Sequence, residues 1–148
     1  MIRPAELVHE VDPDLSTWLN RAPTVYINLG THMRFKEEFA VEMATAIRIL
    51  LDHTRSVLSQ DTGKRLKGLQ VLWKLNRKGE EYEVLTEGSE VYKILGGDID
   101  KGFVRIVDWI EAEPTAVLRC GMVVCAVHHG GANSFLETVW WVLIFMFA

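Results

Sequence analysis

Four runs of nearly continuous apolar residues punctuate this chain: "TVYINLG" (24–30), "LQVLWKL" (69–75), "FVRIVDW" (103–109) and "MVVCAV" (122–127). Each is short, rich in β-branched and aromatic residues, and followed by turn formers, so each reads as a buried strand, the first spanning Thr24–Leu29. The segments between them change period. From Phe35 to Leu58 the apolar positions Phe39, Met43, Ala46, Ile47, Leu50, Leu51 and Leu58 recur at helical spacing and predict a long amphipathic helix. "EGSEVYKILGG" predicts a short helix stopping at Gly96. "EPTAVLRC" predicts another, with Pro114 in its first turn, and Asn133 to Trp140 a last one. Gly63 and Gly68 bracket a turn. Strands alternating with helices, each strand apolar on both faces, imply an α/β fold: a three-layer, Rossmann-like domain with a parallel sheet.

Composition narrows the function classes. The chain has 148 residues, 49% hydrophobic and 24% charged, a balance suited to one globular domain. A net charge of −4 argues against nucleic acid as a partner. Six basic residues between Lys64 and Lys78 read as solvated turns around one strand. Cys120 and Cys125 make no disulfide framework, and the opening "MIRPAELVHEVDPD" has no secretory pattern. These features imply a cytoplasmic chain. The apolar run from Val139 is ten residues long, about half of what a membrane-spanning helix needs, so no spanning segment is expected and membrane association would be peripheral.

On a parallel sheet, ligands sit beyond the carboxyl ends of the strands. That rule brings Gly30–Thr31, Asp108–Trp109 and His128–Ser134 to one rim. In "VHHGGANSFLE", Gly130 and Gly131 permit a tight turn and close backbone approach. The helix starting near Asn133 aims free N–H groups at an anion, and Asn133, Ser134 and His129 add donors. Trp109 offers a flat face for a base, and Glu137 a bidentate acceptor for sugar hydroxyls. Plainer readings stand beside these: a glycine pair as a simple strand–helix turn, Trp109 as core, Glu137 as a solvated residue. Cys120, Cys125, His128 and His129 can be written as a zinc set, but their spacing matches no common pattern. Two buried free thiols are the expectation, with no metal.

"VRIVDWI" followed by "VHHGGANSFLE" resembles the donor-binding signature of the UDP-glycosyltransferases, nucleotide-sugar-dependent enzymes with a GT-B fold of the family 1 type. In that signature a Trp ends one strand, and a His-x-Gly-x-Asn-Ser/Gly-x-x-Glu run follows; here the run starts at His129, twenty residues past Trp109. "PTVYINLGTH" resembles the strand and turn that open the family's carboxyl-terminal domain, and "VDPDLSTWLNRAP" its interdomain lead-in. The resemblance implies a lead-in over residues 1–23, a UDP-sugar-binding domain over 24–137, and a divergent apolar tail over 138–148. It implies that Trp109 stacks on uracil while the Ile110 backbone reads the base edge. Glu137 would hold the ribose. His129, Gly131, Asn133 and Ser134 would contact the diphosphate, with Thr31 near the phosphates or base. His128 is the extra histidine and is expected to pack beside the site.

The implied reaction is transfer of a hexosyl group from a UDP-sugar, UDP-glucose being the family's commonest donor, to an acceptor hydroxyl with inversion. No cofactor is implied. Three departures from the pattern qualify it. No acceptor domain with its catalytic histidine is recognisable, and neither His9 nor His32 sits in a matching context; no catalytic residue is assigned in this chain, and an acceptor domain or partner subunit is expected. Glu111 and Ala112 replace the usual Pro-Gln. Beyond Glu137, "TVWWVLIFMFA" replaces a Gly-Val-Pro turn and the pair that grips the donor sugar. A truncated or altered carboxyl terminus is the first explanation, a short helix or strand covering the sheet edge the plainer one. The competing functional class is a non-catalytic nucleotide-binding module.

Overall fold

Strand β1 (Thr24–Asn28) is the centre of a parallel sheet because its residues from Thr24 to Ile27 find apolar cover on both faces. Around it lie β2 (Gln70–Lys74), β3 (Val104–Val107), β4 (Val123–His128) and β5 (Ile144–Met146), in the order β3-β2-β1-β4-β5. All pairings are parallel. The computed structural model describes residues 6–60, 68–77, 82–131, 136 and 144–146. The α/β, layered parallel-sheet reading holds.

Side chains alternate across the strands and so build two cores. Val25, Ile27, Val71, Trp73, Val104 and Ile106 face helices α3 (Glu37–Gln60) and α4 (Glu90–Asp100), where Ala40, Ala44, Ile47, Leu51, Val91 and Leu95 complete the layer. Tyr26, Leu72 and Ala126 face the other way, against α1 (Val8–Val11), α2 (Pro13–Leu19) and α5 (Pro114–Arg119). A fully buried leucine such as Leu51 or Leu72 contributes about 2 kcal/mol. No helix among the described residues is long and apolar enough to cross a membrane.

The segment expected as a lead-in is folded onto the sheet. Asp12 accepts the Leu15 N–H at 2.9 Å and Pro13 opens α2, a cap and first-turn pairing suited to helix initiation. Leu15, Trp18 and Leu19 are then buried. The Trp18 indole donates to the Gly102 carbonyl at 2.9 Å, and Gln70 Nε2 donates to the Trp18 carbonyl at 3.0 Å and to Thr24 Oγ1 at 2.9 Å. These bonds fix α2 to the amino edge of the sheet.

Two expectations need correction. Helix α4 does not stop at Gly96 but runs to Asp100. The glycine is there for room: a Cβ on Gly96 would lie 2.6 Å from Cε1 of Tyr92. The Tyr92 ring therefore lies along the helix, and its hydroxyl donates to Asp100 at 2.8 Å. The stop comes at Gly102, whose φ of 76° suits the residue after a helix C-cap. Four strands were read where the sheet has five. Ile144–Met146, inside the divergent tail, pairs with Ala126–His128 of β4 and covers that edge. The turn at Gly63 and the helix expected from Asn133 to Trp140 fall largely outside the described residues.

Candidate functional site

The chain leaves β1 for β2 and β3 on one side, then crosses back to place β4 and β5 on the other. The crevice where this order reverses, between the carboxyl ends of β1 and β4, is where such sheets bind ligands. After β1, Asn28 Oδ1 accepts the Gly30 N–H at 3.1 Å while its Nδ2 donates to the Tyr26 hydroxyl at 2.9 Å. Gly30 has φ of 90°, a conformation that glycine alone adopts without strain. The exposed Thr31 follows, and its carbonyl accepts from Asn76 Nδ2 at 2.6 Å. The Phe35 N–H donates to the Asn76 carbonyl at 2.8 Å, so the loop after β1 is strapped to the loop after β2.

After β4, His128 is buried and its Nδ1 accepts the Gly130 N–H at 3.0 Å, closing a turn in which Gly130 takes φ of 79°. Its Nε2 has no partner among the described residues. Burial, with the neighbouring His129 second, pushes the His128 imidazole below its ordinary pKa. His129 is exposed, and its ring lies between two glycines. A Cβ on Gly30 would come within 2.9 Å of His129 Cε1, and one on Gly131 within 2.5 Å of Nε2. The two loops meet through bare backbone.

After β3, Ile110 and Ala112 drop into the core beside α5, leaving Trp109 60% exposed at the rim. Asp108, one residue before, is held by Arg77 at 3.1 Å. Lys74, the last residue of β2, sets its ammonium 4.7 Å from the Trp109 ring centroid. Burial lowers the Lys74 pKa. Between these parts lies a cavity of about 390 Å³, lined by Tyr26, Asn28, Gly30, Thr31, Lys74, Trp109, Ile110, Glu111, Ala112, Glu113 and Pro114. Its size is in the range of small-molecule sites.

Of the residues singled out from sequence, Thr31, Trp109 and Ile110 line this cavity. His129 and Gly131 adjoin it through Gly30, which is on the lining. Asn133, Ser134 and Glu137 lie outside the described residues. Glu111, one of the two residues that replace the usual Pro-Gln, is on the cavity wall, and Glu113 joins it. His128 packs beside the site. The thiols of Cys120 and Cys125 are free but half-buried rather than buried, with burial raising the Cys125 pKa. No three metal-ligating side chains gather among the described residues. Sequence reasoning missed Tyr26, Asn28, Lys74, Glu113 and Pro114; the signal for Lys74 was a lone charge inside an apolar run, near the same strand edge.

Over 129 residues the chain is 46% identical to the glycosyltransferase sdnJ of Sordaria araneosa. This chain is similar to a segment of a glycosyltransferase. The matched residues make up 87% of the chain and 22% of that relative, so the chain spans about a fifth of its length. No family model matches the chain.

Proposed function

We propose that the carboxyl edge of this sheet binds a UDP-sugar, and that the chain is the donor-binding part of an inverting UDP-glycosyltransferase of the GT-B type. The observation that carries the reading is the 390 Å³ cavity beyond the carboxyl ends of β1, β2 and β3, which has an exposed indole on one wall and, on another, Gly30, the residue that His129 of the loop after β4 approaches. The similarity to a glycosyltransferase segment supports the same class.

In this reading the uracil stacks on Trp109, with the Ile110 backbone at the base edge and Glu137 on the ribose hydroxyls. His129, Gly131, Asn133 and Ser134 take the diphosphate. Transfer breaks the bond between the anomeric carbon and the phosphoryl oxygen as an acceptor hydroxyl attacks from the opposite face. The hydroxyl proton passes to a base outside this site, in an acceptor domain or partner subunit. Negative charge grows on the departing UDP, and donors already aimed at the phosphates favour that state over the bound donor. The chain's own part is to hold the donor, orient its sugar and receive the leaving group.

The test is thermal unfolding of the chain with UDP and with ADP. UDP at about a hundred times its Kd should add about 2.7 kcal/mol of apparent stability, and ADP at the same concentration markedly less. Equal shifts, or none at millimolar UDP, count against the reading.

A further inference from the structure

Trp109 is 60% exposed, so packing alone does little to hold its indole at the cavity wall. Its two chain neighbours set its place instead. Ile110, on one side, is buried in the core beside α5. Asp108, on the other, is exposed, and what restrains it is Arg77. The guanidinium grips the carboxylate as a fork: Nε donates to Oδ1 at 3.2 Å and Nη2 to Oδ2 at 3.1 Å. Nη1 donates to the Tyr82 carbonyl at 2.7 Å and stands 3.8 Å from Glu83.

Arg77 is itself firmly anchored. Its side chain is only 16% exposed, and its backbone forms a parallel bridge with Phe35 of the loop after β1. The Tyr82 hydroxyl donates to the Phe35 carbonyl at 2.9 Å. One guanidinium thus ties the turn after β3 to the loops after β1 and β2. An ion pair with an exposed carboxylate adds little stability; what a planar fork supplies is a fixed direction. Neither Arg77 nor Asp108 is among the residues that line the cavity, and the Arg77 charge already faces two carboxylates. We infer that the Arg77–Asp108 pair is a positioning device for Trp109, holding the indole at the wall before a nucleotide arrives. A ring set in advance is not ordered at the cost of binding. Without the fork, fixing that one residue on binding should weaken affinity by about tenfold.

The role in binding rests on the nucleotide reading of the site, and two measurements on the full chain separate them. The first needs no ligand: time-resolved fluorescence anisotropy of Trp109, taken as the difference between each protein and its Trp109→Phe counterpart. Asp108→Ala and Arg77→Met should each lower it through faster nanosecond motion; unchanged anisotropy in both overturns the inference. The second is calorimetric titration with UDP. Loss of a negative charge by electrostatics alone would make Asp108→Ala bind UDP more tightly, whereas loss of the clamp weakens it, by about tenfold. Arg77→Met should lose as much, and the double variant no more than either single one. In a Trp109→Ala background neither substitution should weaken UDP further. Arg77→Lys keeps the charge without the fork and should stay close to Arg77→Met. Tighter or unchanged binding in Asp108→Ala, losses that persist without Trp109, or full recovery in Arg77→Lys would each overturn the inference. Because Asp108 is exposed, its variant tests the clamp even where Arg77→Met fails to fold. Lowered anisotropy in variants of a wild type that binds no UDP would leave the clamp standing and remove the nucleotide reading.

Discussion

At the scale of single residues, His128 and Gly131 show how little freedom the rim has. His128 is buried, accepts from the Gly130 N–H, and has its pKa pushed below the ordinary 6.5 by burial. In the unfolded chain it protonates at that ordinary value; in the folded chain it protonates only at lower pH. Between the two, the unfolded state holds more protons, so stability rises with pH across that window. The contribution is complete above 6.5 and drains as pH falls toward the folded value. Urea midpoints taken from about pH 7.5 down to about pH 5 should therefore fall more steeply for the wild type than for His128→Asn, which keeps a δ-acceptor but does not titrate. Parallel slopes would show that His128 is not the group responsible. The types of residue at the rim were legible from sequence because they are written in one continuous stretch after β4. Lys74 was not, because its meaning comes from Trp109, which is thirty-five positions away in the chain.

At the scale of elements, α3 and α4 are joined by a charged knot at the amino edge, far from the site. Asp98 of α4 is buried and accepts from Arg48 and Arg55 of α3, while Arg48 also pairs with Asp52 at 2.8 Å. Arg55 additionally lies 5.5 Å from the Phe103 ring centroid. The two guanidinium groups are partly exposed, so water screens the pairing and keeps its value between that of a surface bridge and a fully buried one. Asp98→Asn should cost about 2 kcal/mol in denaturant unfolding, against less than about 0.5 kcal/mol for Asp52→Asn. Comparable losses for both would mean that Asp98 gains nothing from its burial. The helical period predicted α3 within two residues at each end. It failed on α4, because a glycine pair reads as a stop unless one knows that the Tyr92 ring fills the groove above Gly96. The helix in the lead-in was not legible in the same way: its turn formers, Asp12 and Pro13, are helix-starting signals whose value depends on the sheet that buries Trp18.

At the scale of the whole molecule, one sheet separates two cores, and each strand contributes to both. Damage on either face should thus be felt everywhere. Leu72→Ala on the α2–α5 face and Ile47→Ala on the α3 face should each cost about 3 kcal/mol. In both variants the unfolding midpoints from backbone circular dichroism and from tryptophan fluorescence should coincide, as expected of a single cooperative unit. Separate midpoints would mean the two layers unfold independently. The parallel sheet was legible because strands buried on both faces lose the polar alternation. The strand order was not, since no local pattern records which strands become neighbours, nor that Ile144–Met146 extends the sheet beside β4.

Gly30 and His129 meet, yet they stand ninety-nine positions apart in the chain. Bringing such distant points together carries a loop-closure cost that only the finished sheet repays. A partly formed chain, with β1 and β2 paired but β4 not yet docked, thus has no rim to offer a ligand. The contact between Gly30 and His129 therefore reports docking of β4 against β1, and with it completion of that side of the rim.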